Sequence, residues 1–281
     1  MRICLLTGDP DHPLLAATAA LLTPDHLVET RDPAVGDVLA PAPEDLADVY
    51  LLKSRTPRAL ALARALEASG APVINSAAAT ELCQDRTRMA ELALAAGLPF
   101  ARTLTAASAA RVRWAGLPLV VKSRHSRRGD LVAKVDDAEQ LRRLAADWPD
   151  EPVVVQDFTP NTGWDQKLWV IAGQVFAARR RSELADAARG PAQPFDAGDL
   201  PAERLELVRR VGEVFDLEVY GVDLLDGPGA PLIVDINAFP GVRGQVGAPE
   251  ALAALALRTA TLGPRTVVAG SRAPAPVTAG R

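Results

Sequence analysis

Short apolar runs bounded by polar or turn-forming residues predict the first strands of the chain. Three such runs occur, at residues 2–7, 48–53 and 71–75. An alanine- and leucine-rich stretch from Pro57 to Ser69 lies between the last two runs, with Gly70 placed to end a helix. Strand, helix and strand in this order are typical of a βαβ unit. We therefore expect a parallel α/β sheet in this part of the chain.

Helical patterns follow farther along. We expect one helix over residues 77–96, with Ser76 as its N-cap and with Gly97 and Pro99 ending it. Over residues 202–216, Leu205, Val208, Gly212 and Phe215 recur at three- and four-residue spacing on one helical face. The remaining predicted helices cover residues 137–146, 202–216 and 249–262.

Strand-like runs dominate the middle and the later part of the chain. A hairpin is predicted across Ala172 and Gly173, and a second turn lies in the segment DGPGA at 226–230. The predicted strands cover residues 117–123, 131–135, 153–158, 167–172, 174–181, 220–225 and 231–237.

Composition and charge narrow the class of protein. The chain has 281 residues, is 48% hydrophobic and carries a net charge of −4, which gives no general reason to bind nucleic acid. No apolar stretch approaches the roughly 20 residues that span a bilayer. Cys4 and Cys83 lack the spacing of a disulfide framework or a zinc site, and three histidines argue against a histidine-based metal centre. We expect a cytoplasmic protein with no membrane or nucleic-acid partner.

Two carboxylates and one amide in the last pair of predicted strands carry the strongest chemical signal. A hairpin centred near Gly229 places Asp223 opposite Asp235, because both lie six residues from that centre. Asn237 shares their face, since side chains two apart in a strand point the same way. These hard oxygen ligands suit Mg²⁺, which completes its shell with water and substrate phosphates. The alternative is that the acidic residues only solvate a turn.

Positive charge gathers at the end of another predicted strand. Lys122 ends the apolar run LPLVVK, and the following loop contains Arg124, His125, Arg128 and Gly129. Cations beside a glycine suit the phosphates of a nucleotide. The chain has four lysines among its 31 basic residues, which draws attention to the position of Lys122. The alternatives are a solvated lysine at a strand end and a mobile basic surface loop.

A polar end to a third apolar strand predicts a contact with a nucleobase. Gln156, Asp157 and Phe158 follow three valines. A strand edge with free backbone N–H and C=O groups could hydrogen-bond an adenine while apolar residues enclose the ring. The next predicted hairpin carries further charges, and strand alternation places only part of its arginine run on one face. These charged residues are Asp165, Lys167, Arg179, Arg180 and Arg181.

The order of these motifs resembles the ATP-grasp superfamily over about residues 1–262. GVDLL and DINAFPG at their observed spacing make the resemblance specific. It implies an α/β (α+β) ATP-grasp fold, with ATP between two antiparallel sheets. The matching segments are VINS at 73–76, PLVVK at 118–122, VVVQDF at 153–158, KLWVIAG at 167–173, GVDLL at 221–225 and IVDINAFPG at 233–241.

The resemblance divides the chain into three parts and a tail. It implies an N-terminal α/β domain over 1–76, a central lid over 77–160 and a C-terminal antiparallel-sheet domain with the metal site over 161–262. Residues 263–281, rich in Pro, Gly, Ala and Ser, are expected to be disordered.

The resemblance also assigns roles to individual residues. Arg86 stands where many members carry a lysine for the phosphates, which keeps the charge but changes its geometry. Lys122 and Arg180 are expected to stabilise the transferred phosphoryl group. The residues implied for ATP are Arg86, Lys122, Gln156, Asp157, Phe158, Asp165 and Lys167. Those implied for Mg²⁺ are Asp223, Asp235 and Asn237. Those implied for an anionic small-molecule or peptide-like acceptor are Lys53, Arg124, His125, Arg128 and Gly241.

Two enzyme branches of the superfamily stay open. RimK-type carboxylate–amine ligases, similar in length and from VINS onward, activate a carboxylate as an acylphosphate that an amine then attacks. Inositol trisphosphate 5/6-kinases share DINAFPG, the Asp85–Arg86 pair and a strand ending in Lys53. In that branch Lys53, His125 and Arg180 face substrate phosphates. We favour the ligase because its chemistry is the more common use of the fold.

A third interpretation is a nucleotide-binding module that does not turn over. It is suggested by Arg86 and by a loop in which Gly129 is the only glycine. The predicted metal ligands argue against it. The resemblance also leaves a homo-oligomer open.

Overall fold

Three β-sheets organise the chain in the computed structural model, which describes residues 1–114, 116–127, 129–185, 190–225 and 229–263. One sheet is parallel and two are antiparallel. The α/β fold with two antiparallel sheets is the predicted one. The tail predicted to be disordered covers residues 263–281, of which 264–281 lie outside the described residues.

The parallel sheet has the strand order β2-β1-β3-β4. Its strands are β1 (Arg2–Leu6), β2 (Leu27–Arg31), β3 (Val49–Leu52) and β4 (Val73–Ile74). Its helices are α1 (Pro13–Leu22) and α2 (Pro57–Ala68). Thr56 begins α2, since its side chain accepts a hydrogen bond from the Ala59 N–H. The predicted βαβ unit is confirmed, and β2 is an additional edge strand that the apolar pattern did not indicate.

The first antiparallel sheet has the order β5-β8-β6-β7. Its strands are β5 (Thr103–Ala106), β6 (Leu119–Ser123), β7 (Val132–Val135) and β8 (Val153–Asp157). The helix α5 (Ala138–Asp147) packs Leu141 and Leu144 against a core that contains Val121 and Val153.

The second antiparallel sheet has the order β11-β10-β9-β12-β13. Alternation places Leu168, Val170, Val222 and Ile236 on one face, in the same core as Phe215 of the helix α6 (Ala202–Phe215). The opposite face is therefore available for polar side chains. The strands are β9 (Trp164–Ile171), β10 (Gln174–Arg181), β11 (Gln193–Phe195), β12 (Val219–Leu225) and β13 (Ile233–Ala238). The predicted hairpin at Ala172 and Gly173 is confirmed, with both residues at positive φ.

The single helix predicted over 77–96 is wrong. The structure has two helices there, α3 (Ala77–Leu82) and α4 (Arg86–Ala95). The Asp85 side chain accepts hydrogen bonds from the N–H groups of Thr87 and Arg88, and so begins a new helix. The backbone N–H of Arg86 donates to the Arg124 carbonyl at 2.9 Å. The break therefore turns Arg86 towards the first antiparallel sheet.

Helices from distant parts of the sequence join the sheets. Met89 of α4 shares the core of the five-stranded sheet, and the last helix, α7 (Ala248–Leu262), packs Leu252 and Leu255 with Leu15 of α1. Each sheet falls within one of the three predicted ranges, although the domain bounds themselves remain a prediction. No helix among the described residues is long and apolar enough to cross a membrane.

The side chain of Asn75 links the parallel sheet to the five-stranded sheet by hydrogen bonds. Its amide nitrogen donates to the Val219 carbonyl at 2.7 Å, and its oxygen accepts from the N–H groups of Glu218 and Val219 at 2.9 and 3.0 Å. The side chain is only 3% exposed. One amide thus satisfies three backbone groups at the start of β12.

Replacing Asn75 with alanine tests this link. We expect Asn75→Ala to lower the free energy of unfolding by about 2–4 kcal/mol, because it leaves buried backbone groups without partners. The measurement is urea denaturation followed by circular dichroism. Ser69→Ala, which removes an exposed side-chain hydrogen bond at the end of α2, is the matched control and should change stability little. Equal effects of the two substitutions would contradict the role of Asn75.

Candidate functional site

A row of charged side chains crosses the five-stranded sheet. The strand register places Lys167 of β9 opposite Asp223 of β12, and Asp223 opposite Asp235 of β13. Directly opposed residues in antiparallel strands project from the same face. The predicted pairing of Asp223 with Asp235 is therefore confirmed, and the ammonium of Lys167 lies 2.5 Å from the Asp223 carboxylate.

Two more oxygen-bearing side chains lie on this face. Asn237 is two residues beyond Asp235, and Asp165 is two residues before Lys167. Asp165 is buried, and its Oδ1 atom has no hydrogen-bond partner among the described residues. Groups of three or more His, Cys, Asp or Glu side chains that could hold a metal are absent from the described residues. The candidate metal ligands are thus two carboxylates and the Asn237 amide.

Cations from other elements converge on the same row. Lys122 of β6 is buried and donates to the Val234 carbonyl at 2.9 Å. Arg86 at the start of α4 contacts Asp130 at 2.6 Å, the Ser123 carbonyl at 2.8 Å and Asp235 at 3.5 Å. Arg86 therefore connects the basic loop to a predicted metal ligand.

Burial controls the ionisation of these groups. It lowers the pKa of Lys122, although the nearby Asp235 carboxylate opposes this. It raises the pKa of Asp223, and the attraction of Lys167 only partly offsets that effect. For Lys167 itself, burial acts against the charge, but Asp223 and Asp165 attract it and raise its pKa. Burial and the neighbouring Asp235 carboxylate therefore disfavour the ionised form of Asp223, which a bound divalent cation would favour.

One cavity between the two antiparallel sheets brings these residues together. Every residue predicted for ATP or Mg²⁺ lines it. Apolar residues also line it, including Ala101, Val120, Val132, Leu232 and Val234. A cavity that is apolar at one part and charged at another suits a nucleotide, which has a flat base and a polyanionic tail.

Alternate residues of the first antiparallel sheet line one side of the cavity. Val120 and Lys122 lie on the same face of β6, with Gln156 opposite Val120 and Val132 opposite Lys122. The side chain of Gln156 donates to the Thr103 hydroxyl at 2.9 Å.

The strand β8 is not the free edge that the sequence suggested. It lies between β5 and β6, and the N–H of Phe158 donates to the Pro118 carbonyl at 3.2 Å. The strand β5 begins at Thr103, which pairs with Gln156. Asp157 and the residues after it therefore have no partner in β5. Any backbone contact with a base is therefore restricted to the segment after Gln156.

Of the predicted acceptor and catalytic residues, Lys122 lines this cavity, and the others that the structure describes do not. Arg180 lies opposite Asp165 and on its face, but outside the lining. Arg124 is held by Asp85 at 2.7 Å, and His125 forms a β-bridge with Asp85. Arg128 lies outside the described residues. Lys53 donates to the Phe239 carbonyl in the loop that follows β13, and Gly241 belongs to the same loop.

Several residues of the site were not identified from the sequence. Trp114 donates from its indole nitrogen to Asp157 at 2.9 Å, and the ammonium of Lys134 lies 4.5 Å from the centre of the Phe158 ring. Asp130 holds Arg86. Alternation from Lys122 could have identified Val120, but the partners of Asp157 and Arg86 carry no local signal.

Comparison with known proteins agrees with this geometry. A family model described as a RimK-like ATP-grasp domain matches residues 101–249, more than half of the chain. The fold and the site define an ATP-grasp protein. The chain belongs to the RimK-like ATP-grasp family, which confirms the predicted resemblance. The motif similarity to inositol trisphosphate 5/6-kinases remains a prediction.

Individual relatives are more distant. A probable alpha-L-glutamate ligase 2 of Hahella chejuensis is 27% identical over 201 residues, which cover 66% of this chain. The chain spans 64% of the length of this curated relative. A RimK domain ATP-grasp protein of Sphaerobacter thermophilus has a TM-score of 0.69 at 23% identity, covering 91% of this chain and 99% of that chain. The ATP-grasp ligase PsnB with a minimal precursor has a TM-score of 0.68 at 20% identity, covering 92% and 99%. These two structures share the fold.

Asp235→Asn tests the metal assignment. We expect it to weaken the binding of Mg²⁺-ATP by at least about tenfold, because a neutral amide replaces a carboxylate ligand of similar shape. Isothermal titration calorimetry with and without Mg²⁺ measures this, and circular dichroism checks the fold. Asp147→Asn, at the exposed end of α5, is the control. Wild-type affinity in Asp235→Asn would refute the assignment.

Proposed function

We propose that the chain is an ATP- and Mg²⁺-dependent carboxylate–amine ligase that acts through an acylphosphate. The observation that carries this proposal is the row of Lys167, Asp223 and Asp235, which lines one cavity together with Lys122 and Arg86. The donor set fits a magnesium nucleotide, because oxygen ligands and cations stand next to each other.

The nucleotide is proposed to lie along this cavity. Its base would occupy the part lined by Gln156, Asp157 and Phe158, and its phosphates the part lined by Lys122 and Arg86. Asp223, Asp235 and Asn237 would hold Mg²⁺, which neutralises charge on the phosphates when bound. The buried lysines act in surroundings that exclude much of the solvent, and this strengthens their attraction for phosphate oxygens.

The proposed chemistry has two displacements. A carboxylate oxygen attacks the γ-phosphorus of ATP, the bond to the β–γ bridging oxygen breaks, and ADP leaves. An amine then attacks the acyl carbon of the resulting acylphosphate, the carbon–oxygen bond breaks, and phosphate leaves as the amine loses a proton. Lys122, Arg86 and Lys167 stabilise the negative charge that the phosphoryl group carries. No nucleophile from the protein is required.

Glutamate or a glutamate-containing peptide is the proposed substrate class. A relative at 27% identity is named a probable alpha-L-glutamate ligase, and a structural neighbour is an ATP-grasp ligase complexed with a precursor. Contacts with phosphate or acceptor remain proposed for Arg180, Arg124, His125 and Arg128.

Product analysis tests the function. The purified chain is incubated with ATP, Mg²⁺, L-glutamate and short glutamyl peptides, together with other amino acids and inositol phosphates. We expect ADP and free phosphate in equal amounts with a new amide, identified by mass spectrometry.

Asp223→Asn provides the variant for this assay. It should reduce the rate by at least about a hundredfold, because the carboxylate belongs to the proposed metal site. Asp147→Asn should keep the wild-type rate. ADP without free phosphate, accompanied by a phosphorylated polyol, would refute the ligase and favour a kinase. Nucleotide binding without any product from this mixture would also count against the ligase.

A further inference from the structure

The basic loop between β6 and β7, residues 124–131, is held at the start of α4 by two ion pairs of opposite sense. Asp85 accepts from the guanidinium of Arg124 at 2.7 and 3.0 Å. The next residue, Arg86, donates to Asp130 of the same loop at 2.6 Å. The backbone N–H of Arg86 also donates to the Arg124 carbonyl at 2.9 Å. These contacts fix the position of the loop relative to Arg86.

The guanidinium of Arg86 lies between two carboxylates and contacts them unequally. Its Nη1 atom donates to Asp130 at 2.6 Å and to the Ser123 carbonyl at 2.8 Å. Its Nη2 atom lies 3.5 Å from the Asp235 carboxylate. Hydrogen bonds between such charged groups are usually about 2.7–2.9 Å long, so the contact with Asp235 is the weaker one. Asp130 is therefore the main acidic partner of Arg86.

One donor of Arg86 has no partner within the protein. The side chain is only 6% exposed, and its Nε atom makes no hydrogen bond among the described residues. A buried donor without an acceptor is unfavourable, which points to a ligand. Because Arg86 lines the cavity between the two antiparallel sheets, a phosphate oxygen bound there would be a suitable acceptor.

The Asp235 carboxylate has two possible cationic partners, the guanidinium of Arg86 and the proposed Mg²⁺. Burial acts against the charge of Arg86, but attraction by Asp235 and Asp130 raises its pKa, so the side chain stays charged. Without the Asp130 carboxylate, Asp235 would be the remaining ion-pair partner of Arg86 among the described residues. A guanidinium paired closely with Asp235 would occupy an oxygen ligand that the metal requires.

We propose that Asp130 is a positioning residue, which keeps Arg86 directed at the phosphates and prevents it from closing onto Asp235, where it would compete with Mg²⁺. The pair between Arg124 and Asp85 holds the loop in the place from which Asp130 reaches Arg86. This inference rests on the proposed function of the cavity and adds to it a residue outside the cavity lining.

Binding of a non-hydrolysable ATP analogue with and without Mg²⁺ tests the role of Asp130. Isothermal titration calorimetry on the full chain gives two dissociation constants, and their ratio is the factor by which Mg²⁺ tightens binding. Asp130→Asn removes the charge and keeps the shape of the side chain. We expect it to reduce this factor at least about threefold, because Arg86 then competes with the metal for Asp235. An unchanged factor would overturn the proposal.

A second substitution separates competition by Arg86 from a general loss of negative charge. In Arg86→Gln no guanidinium can compete for Asp235. Adding Asp130→Asn to that variant should therefore leave its Mg²⁺ factor unchanged, within about the precision expected for independent sites. If Asp130→Asn reduces the factor equally in both backgrounds, the effect does not pass through Arg86 and the proposal is wrong.

Glu151→Gln is the matched control for the loop. It removes the ion pair that Glu151 forms at 2.7 Å with Arg127 of the same loop, and the ion pairs of Arg86 are formed with other residues. This variant should keep the wild-type Mg²⁺ factor. A reduction as large as that in Asp130→Asn would mean that any disturbance of the loop has this effect, which would also overturn the proposal.

A crystal structure of the Asp130→Asn variant without nucleotide gives a readout that does not require Arg86→Gln to fold. We expect the Nη2 atom of Arg86 to move from 3.5 Å to within about 3 Å of the Asp235 carboxylate. An Arg86 side chain that keeps its present distance from Asp235 would contradict the role of Asp130.

The binding measurements and the product analysis can fail separately. An unchanged Mg²⁺ factor in Asp130→Asn together with amide formation would support the ligase and refute the role of Asp130. The expected loss of the factor without amide formation would support the role of Asp130 and refute the ligase. A wild-type chain whose binding of the analogue does not respond to Mg²⁺ would refute the metal assignment and this proposal together.

Discussion

The buried ion pair between Lys167 and Asp223 needs further charged partners from the surrounding elements. It stands in a sheet beside a second carboxylate, Asp235, and burial of so much charge is unfavourable unless further partners are supplied. Lys122 from the other antiparallel sheet and Arg86 from α4 supply them. The facing of the two antiparallel sheets and the break between α3 and α4 bring these cations to the carboxylates, around one cavity.

The strand β13 is where the parts of the chain meet. Ile233 exchanges hydrogen bonds with residues 99–101, the Val234 carbonyl accepts from Lys122, and Asp235 contacts Arg86. Beyond the strand, the Phe239 carbonyl accepts from Lys53 of the parallel sheet. One short segment therefore connects the predicted metal ligands to the first antiparallel sheet through Lys122 and to the parallel sheet through Lys53.

Local pattern was sufficient for much of the fold and for the centre of the candidate site. Counting from Gly229 paired Asp223 with Asp235, and Ala172–Gly173 marked the hairpin, because both depend on the chain immediately around them. The break at Asp85 was missed, since apolar spacing continues through it while a single side-chain cap decides the outcome. The contacts of Trp114 with Asp157 and of Asp130 with Arg86 join residues more than 40 positions apart, and such pairs need the folded chain to be seen.

A crystal structure of the chain with Mg²⁺ and a non-hydrolysable ATP analogue would locate the nucleotide and the metal directly. We expect the nucleotide between the two antiparallel sheets, with its base beside Gln156, Asp157 and Phe158 and with metal ions on Asp223, Asp235 and Asn237. A nucleotide bound elsewhere, or one held in this cavity with no metal on those three residues, would contradict it.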